Sequence, residues 1–183
     1  ITVRDEHVEK IDDGRHYDIV GMTVYISSAR RSYELADAYR RRGAKVLLGG
    51  IHPTTMPEEA AVHADAVCIG PAEPVWDEIL RDFERGELRK FYRGESRNSA
   101  ALQPQPVRSL MNDRAYLLRN TIITSRGCPN ACDFCYKAGF WGKSYYERRP
   151  LDEVEMELAS MKGGFVFILD DNFMADRKRA REI

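Results

Sequence analysis

The chain lacks any uninterrupted apolar stretch near the roughly 20 residues that a bilayer-spanning helix needs, and no basic segment followed by an apolar one opens its N-terminus. It therefore reads as a cytoplasmic protein with no membrane partner. It is equally short of one-sided charge: 28 Lys and Arg stand against 29 Asp and Glu, a net charge of -1, and no segment collects a long run of one sign. Nothing in that balance suggests a nucleic-acid or anionic-membrane surface, so nucleic acid is not an expected partner. Histidine is scarce, and His7, His16, His52 and His63 all fall in the first half. Cysteine is as scarce but unevenly placed. Cys128, Cys132 and Cys135 lie within eight positions, and Cys68 stands far from them.

What is present is enough apolar content for a core: 183 residues, 43% hydrophobic and 31% charged, which fit one large or two small domains. The chain begins with Ile1 rather than Met and stops inside DRKRAREI, a charged stretch resembling the start of a helix, so a piece truncated at both ends is expected.

Periodicity then divides the first half. ITV at the start and DIVGMTVYI (18–26) are apolar, β-branched runs suited to buried strands. From Ala29 to Arg42 apolar residues share one helical face, and Gly43 marks a stop. KVLLGG (45–50) predicts a strand and turn, PEEAAVH (57–63) a short helix, and DAVCIG (65–70) another strand. Val75, Trp76, Ile79, Leu80 and Phe83 then recur at helical spacing before Gly86. Alternating strands and helices over short connections imply a parallel sheet covered on both faces, the α/β class, which binds ligands beyond the carboxyl ends of its strands. Two of those ends are unusual. GGIHP brings Gly49, Gly50 and His52, and GPAE brings Gly70 and Glu73. Glycine there lets backbone approach a ligand closely, or it merely makes a tight turn. Cys68, inside an apolar strand, reads as a small core residue.

From 87 to 118 the periodicity fades into Gly, Ser, Asn and Pro, which predicts a linker with an extended strap around Pro104 and Pro106. The expected domains are thus 1–86, a linker at 87–118, and 119–183. In the last, NTIITS (120–125) predicts a strand whose carboxyl end releases the cysteine loop. Leu151, Val154, Leu158 and Met161 mark a helix, and FVFIL (165–169) a fully apolar strand ending in Asp170, Asp171 and Asn172. Polar groups at such an end are where parallel α/β barrels place their chemistry. Trp141 and Gly142 in the cysteine loop either shape a site or simply pack. YYERRP (145–150) reads equally as an aromatic and basic patch or as a helix entrance.

The cysteine spacing is C-x3-C-x2-C, and four occupants compete for it. A structural zinc site wants a second ligand pair, and none is present nearby. An electron-transfer ferredoxin cluster wants four cysteines, and Cys68 is poorly placed to be the fourth. Three free thiols in one polar loop are an odd way to build a core. Three thiolates holding three irons of a [4Fe-4S] cluster, with the fourth iron open to a small molecule, make sense of the missing ligand.

CPNACDFC resembles the signature of the radical S-adenosylmethionine (radical SAM) superfamily, C-x3-C-x-aromatic-C, with Phe134 in the aromatic position. The resemblance implies that Cys128, Cys132 and Cys135 ligate a [4Fe-4S] cluster whose open iron is chelated by S-adenosylmethionine. It further implies a reductive cleavage that releases methionine and a 5'-deoxyadenosyl radical, and an external one-electron donor of flavodoxin or ferredoxin type. Phe134 would lie near the adenine, and Asp170, Asp171 and Asn172 would supply acceptors to S-adenosylmethionine. The family's usual Gly-Gly-Glu is absent at that strand end, so a helix N-cap in the turn competes with this last assignment.

The series DIVGMTV, KVLLGGIHPTTMPEEA, ADAVCIGPAEPVW and TSRGCPNACDFC is similar to radical SAM enzymes preceded by a cobalamin-binding domain. That likeness implies a flavodoxin- or Rossmann-like cobalamin-binding domain followed by the start of a radical SAM (β/α) partial barrel. Gly49, Gly50, His52, Gly70 and Glu73 would lie near the corrin. Pro71 and Ile26 depart from the pattern, which favours glutamate and threonine there. The expected activity is that of a cobalamin-dependent radical SAM enzyme: the cluster makes the 5'-deoxyadenosyl radical and cobalamin delivers a methyl group to an unactivated carbon or phosphorus centre of a small-molecule substrate. The alternatives are a radical rearrangement or cyclisation, a tRNA methylthiotransferase-like enzyme, and a non-catalytic zinc-binding module.

Overall fold

A computed structural model describes residues 1–11, 14–95, 104–110, 115–137 and 145–183. The chain divides into two compact units, Asp12–Ser99 and a second built from Ile1–Ile11 with Ala100–Ile183.

In the first unit β1 (Ile19–Thr23), β2 (Lys45–Gly49), β3 (Ala66–Ile69) and β4 (Phe91–Arg93) form one sheet in the order β1-β2-β3-β4, every pair parallel. Parallel neighbours require crossovers. These are α1 (Ala29–Arg41), the short α2 (Ile51–Thr55) and α3 (Pro57–His63), and α4 (Trp76–Arg85). Helix α1 buries Ala29, Tyr33, Ala36 and Tyr39, one stripe at helical spacing, and ends on Arg40 and Arg41, whose charges suit the negative end of the helix dipole. Helix α3 opens on Pro57, which needs no amide partner there, with Glu58 and Glu59 at the positive end.

The pleat sorts the core into two layers. Leu47, Ala66, Cys68 and Tyr92 cluster with Val75 and with Ile79 of α4. Val46, Leu48 and Val67, which alternate with them along β2 and β3, are buried as well, and α1 and α3 pack against those two strands. The sheet is therefore covered on both faces. Full burial of a side chain such as Leu48 or Ile79 is worth about 1.5–3 kcal/mol.

Two expectations change here. Strand β4 lies inside the stretch read as linker, and the first unit extends to Ser99. Its signal is three residues long with one inward side chain, Tyr92, too short for a period to show. Tyr92 is buried, its hydroxyl donating to Asp82 Oδ2 at 2.8 Å and accepting from the Arg89 amide at 3.0 Å. Conversely, ITV is not a strand. Residues 1–11 group with the second unit, where Tyr116 donates to Asp5 Oδ2 at 2.8 Å, and Ile1 and Val3 are exposed. A three-residue run forms a strand only where a neighbour completes its ladder, and none pairs with it among the described residues.

The second unit is less regular. Strand β5 (Thr121–Ile122) pairs in parallel with β8 (Phe167–Ile168), and β6 (Ser125–Gly127) pairs antiparallel with β7 (Tyr146–Arg148). The expected single strand over 120–125 is thus two, with Ile123 and Thr124 carrying the chain from one partner to another. Helix α5 (Leu151–Ser160) follows β7, and α6 (Arg179–Glu182) ends the chain. FVFIL gives only the two-residue β8, and all five of its side chains are exposed, Phe165 to 84%.

Much of this unit's interior is polar. Arg149 and Glu157 of α5 are each 1% exposed, and the Arg149 guanidinium donates to Glu157 Oε2 at 2.7 Å and to the Ile123 carbonyl at 2.9 Å. Arg108 bonds the other carboxylate oxygen and the Thr121 carbonyl. A buried charge is tolerable only when paired and hydrogen-bonded in this way. YYERRP is therefore a strand followed by a buried arginine rather than a surface patch.

Candidate functional site

The cysteine loop leaves the carboxyl end of β6 at Gly127. Its φ is 83°, a left-handed conformation, and a Cβ there would collide with the carbonyl and ring of Tyr145. Glycine is what lets β6 and β7 stay paired while the next residue, Cys128, turns into the loop. All three loop cysteines are free; Cys128 and Cys135 are half-buried and Cys132 is exposed. The Cys135 amide donates to the Cys132 carbonyl at 3.0 Å, so the second half of the loop is a tight turn. Phe134 stands 93% exposed beside it. Among the described residues, no three His, Cys, Asp or Glu side chains are gathered as ligands. Thiols have no mutual attraction and thiolates repel, so convergence of such a set comes with the metal. Trp141 and Gly142 lie outside the described residues.

Behind the loop stands the turn after β8. Asp170 accepts from the Thr124 amide, the Thr124 hydroxyl and the Ser125 hydroxyl, each at 2.6 Å. Thr124 and Ser125 are 1% and 2% exposed, so these bonds satisfy buried donors. Asp171 accepts from the Gly127 amide at 3.0 Å and pairs with Lys137. Asn172 Nδ2 donates to the sulfur of Cys128 at 3.5 Å. The three polar residues expected to face a ligand are thus turned onto the stem of the cysteine loop. Nor does Asn172 cap the short 3-10 turn Phe173–Ala175 through its side chain. Thr124, Ser125 and Lys137 are site residues that the sequence reading missed. Only Lys137, two positions after the last cysteine, offered a signal. Burial pulls its ammonium below the usual lysine range, opposed by the nearby Cys135 and Cys128.

In the first unit the carboxyl ends of β1, β2 and β3 carry the other candidates. Gly50 has φ 99°, and a Cβ on it would crowd the Val24 backbone at 2.9 Å. Gly70 has φ 86°. These two are glycine because the backbone requires it. Gly49 is different: a Cβ there would make only ordinary contact, 3.6 Å, with Cys68. The turns are laced together by Thr54, which donates to the Gly50 carbonyl at 2.7 Å and accepts from the Gly70 amide at 3.0 Å. His52 is 5% exposed, its amide bonded to the Val24 carbonyl at 3.1 Å and its Nε2 3.2 Å from Glu59 Oε1. Its ring has little open surface to offer a ligand. Glu73 begins a 3-10 turn and is half-buried. Around these ends Tyr25, Ile26, Ile51 and Trp76 are exposed by 54%, 78%, 38% and 41%, each on the segment that follows its strand. Cys68 is buried, and burial pushes its thiol up to about 11.

Residues 1–80 match the model of the B12 binding domain. Among curated proteins, the chain is 34% identical over 171 residues to the bacteriochlorophyllide d C-8(2)-methyltransferase of Chlorobaculum tepidum, covering 82% of this chain and 36% of that one. It is 31% identical over 166 residues to the bacteriochlorophyllide d C-12(1)-methyltransferase of the same organism, covering 85% and 36%. The hopanoid C-2 methylase of Rhodopseudomonas palustris is 28% identical over 145 residues, covering 75% and 27%. The chain spans about a third of the length of these relatives. Among the described residues no helix is long and apolar enough to cross a membrane. The chain thus carries a B12 binding domain over residues 1–80 and is homologous to named methyltransferases.

Proposed function

We propose that the chain is part of a cobalamin-dependent radical SAM methyltransferase that acts in a reducing cytoplasm. The observation that carries this reading is the set of three free cysteines on one loop, the remaining cysteine, Cys68, being buried in the core of the first unit with burial pushing its thiol up to about 11. Three thiolates match an iron-sulfur cluster with one open iron better than a closed four-ligand zinc site. Cys128, Cys132 and Cys135 would hold the cluster, and Lys137 would place a cation beside two of them. Of the strand-end glycines Gly49, Gly50 and Gly70, Gly49 is the one that neither a left-handed backbone nor a close contact demands, so the space it leaves suits close approach of a ligand. Exposed Tyr25, Ile26, Ile51 and Trp76 at the neighbouring strand ends offer apolar surface for the corrin of cobalamin. When bound, the cluster with S-adenosylmethionine supplies one-electron bond cleavage, and cobalamin supplies a methyl carrier. This chain's own residues bind and orient.

The relatives' names place their methylations at carbon, which favours an unactivated carbon of a small-molecule substrate here. A flavodoxin- or ferredoxin-type protein would deliver the electron. The test is anaerobic reconstitution with iron and sulfide, followed by electron paramagnetic resonance of the reduced protein with and without S-adenosylmethionine. A [4Fe-4S] signal that shifts with S-adenosylmethionine and is lost in Cys132→Ala is expected. Colourless zinc, or a cluster indifferent to S-adenosylmethionine, would overturn the reading. Cobalamin binding is checked separately by the change of corrin absorbance on mixing.

A further inference from the structure

The turn after β8 makes a sequence of bonds that follows the chain opposite. Asp170 holds Thr124 and Ser125, Asp171 holds Gly127, and Asn172 holds Cys128. Successive residues on one side meet nearly successive residues on the other. The effect is to fix one limb of the cysteine loop, while Cys132 at its far side is exposed. Of the three thiols, Cys128 is the one whose sulfur accepts a hydrogen bond from a side chain of this turn.

From this geometry we infer that Asp170, Asp171 and Asn172 are positioning residues for the first cysteine, and that the Asn172 amide tunes the reduction potential of the cluster through the Cys128 sulfur. The inference rests on the cluster reading above. Reduction adds negative charge to the cluster and its sulfur ligands, and an N–H donor aimed at such a sulfur stabilises the more negative state. Removing the donor therefore makes the cluster harder to reduce. Replacing it by an anion makes reduction harder still. Asp170 and Asp171 act one step back, by holding the stem so that the sulfur meets its donor.

The test compares the reconstituted 183-residue chain with Asn172→Leu, which removes the donor at similar volume, and Asn172→Asp, which is isosteric and puts a carboxylate there. Iron content is measured first, then the midpoint potential by redox titration followed in the electron paramagnetic resonance spectrum. The expected order is parent highest, Leu lower, Asp lowest, at equal iron content. Equal potentials in fully loaded parent and variants would overturn the inference alone. A parent that takes up no cluster would overturn the function reading and this inference together. If Asn172→Leu misfolds, the parent against Asn172→Asp decides. On the apoprotein, amide hydrogen exchange provides a readout independent of loading. Exchange at Gly127 should rise about fivefold in Asp171→Ala, the factor matching a hydrogen bond of ordinary net strength. Unchanged exchange there would remove Asp171 from the positioning set.

Discussion

The two units hold their candidate residues by different means. In the first, the strand ends are presented by a parallel sheet packed on both faces with Leu47, Leu48, Val67 and Ile79, all nearly without exposed surface. In the second, β8 is exposed along its length, the stem of the cysteine loop is held by carboxylates and an amide, and a buried ion pair bonds the Ile123 carbonyl between β5 and β6. Apolar packing tolerates change of shape gradually. A hydrogen-bonded frame fails when one member is removed, because its partner is left buried and unsatisfied.

The sharpest way to break this contrast is to remove a single member on each side. Glu157→Leu leaves the Arg149 guanidinium buried without its counter-ion and should cost the second unit about 3–5 kcal/mol, read as lost hydrogen-exchange protection along α5. Leu48→Ala should cost the first unit about 2–5 kcal/mol by cavity formation, yet leave the α5 amides as they were. If either variant lowers protection equally in both units, the two are not independent and the comparison fails.

Gly127→Ala comes next. Its left-handed backbone and the collision with Tyr145 should cost on the order of 1–3 kcal/mol. The loss should concentrate in the β6–β7 pairing, where nuclear magnetic resonance would show shifted amides of Arg126 and Glu147. A spectrum like the parent's would mean that glycine is not required at that turn.

A smaller effect separates the two classes of cysteine. With its thiol pushed up to about 11 by burial, Cys68 is ionised in only about one molecule in a thousand at pH 8. Iodoacetamide followed by mass spectrometry should label exposed Cys132 readily and leave Cys68 unmodified until the first unit unfolds. Early labelling of Cys68 would contradict the burial of β3.

The smallest effect is a pH dependence confined to the first unit. The hydrogen bond from His52 holds the Glu59 carboxylate below its ordinary 4.5. A carboxylate with a depressed folded-state pKa binds fewer protons than in the unfolded chain, so its contribution is complete above 4.5 and is lost as pH falls through the lower folded value. Urea midpoints should therefore fall between pH 6 and pH 3 more steeply in the parent than in Glu59→Gln. Parallel slopes would dissociate Glu59 from the His52 bond.

How much of this was legible depended on whether a signal was local. Helix α3 was readable to its end residues, and α1 and α4 nearly so, because Pro57, the apolar spacing and Gly86 act within a few residues. The cysteine triplet was readable for the same reason. Strand β4 was not, because its evidence is one inward tyrosine whose partner Asp82 is a helix away. Asp170, Asp171 and Asn172 were visible as polar residues at a strand end, but their direction was not. That direction is set by unsatisfied donors on Thr124, Ser125 and Gly127, more than forty positions earlier. His52 likewise looked outward in sequence, and Glu59 and the Val24 carbonyl hold it inside.

One feature of the sheet bears on how the protein behaves at high concentration. Strand β1 pairs only with β2 among the described strands, and its five residues, IVGMT, include no charge and no proline. Such a border is a template: amides and carbonyls that pair with no described strand fit an extended chain that arrives in register. Among the described strands, β1 thus gives the first unit's sheet a line along which the protein is adhesive. Its colloidal limit should respond to a lysine placed at Gly21, the exposed middle of that line, far more than to net charge added elsewhere.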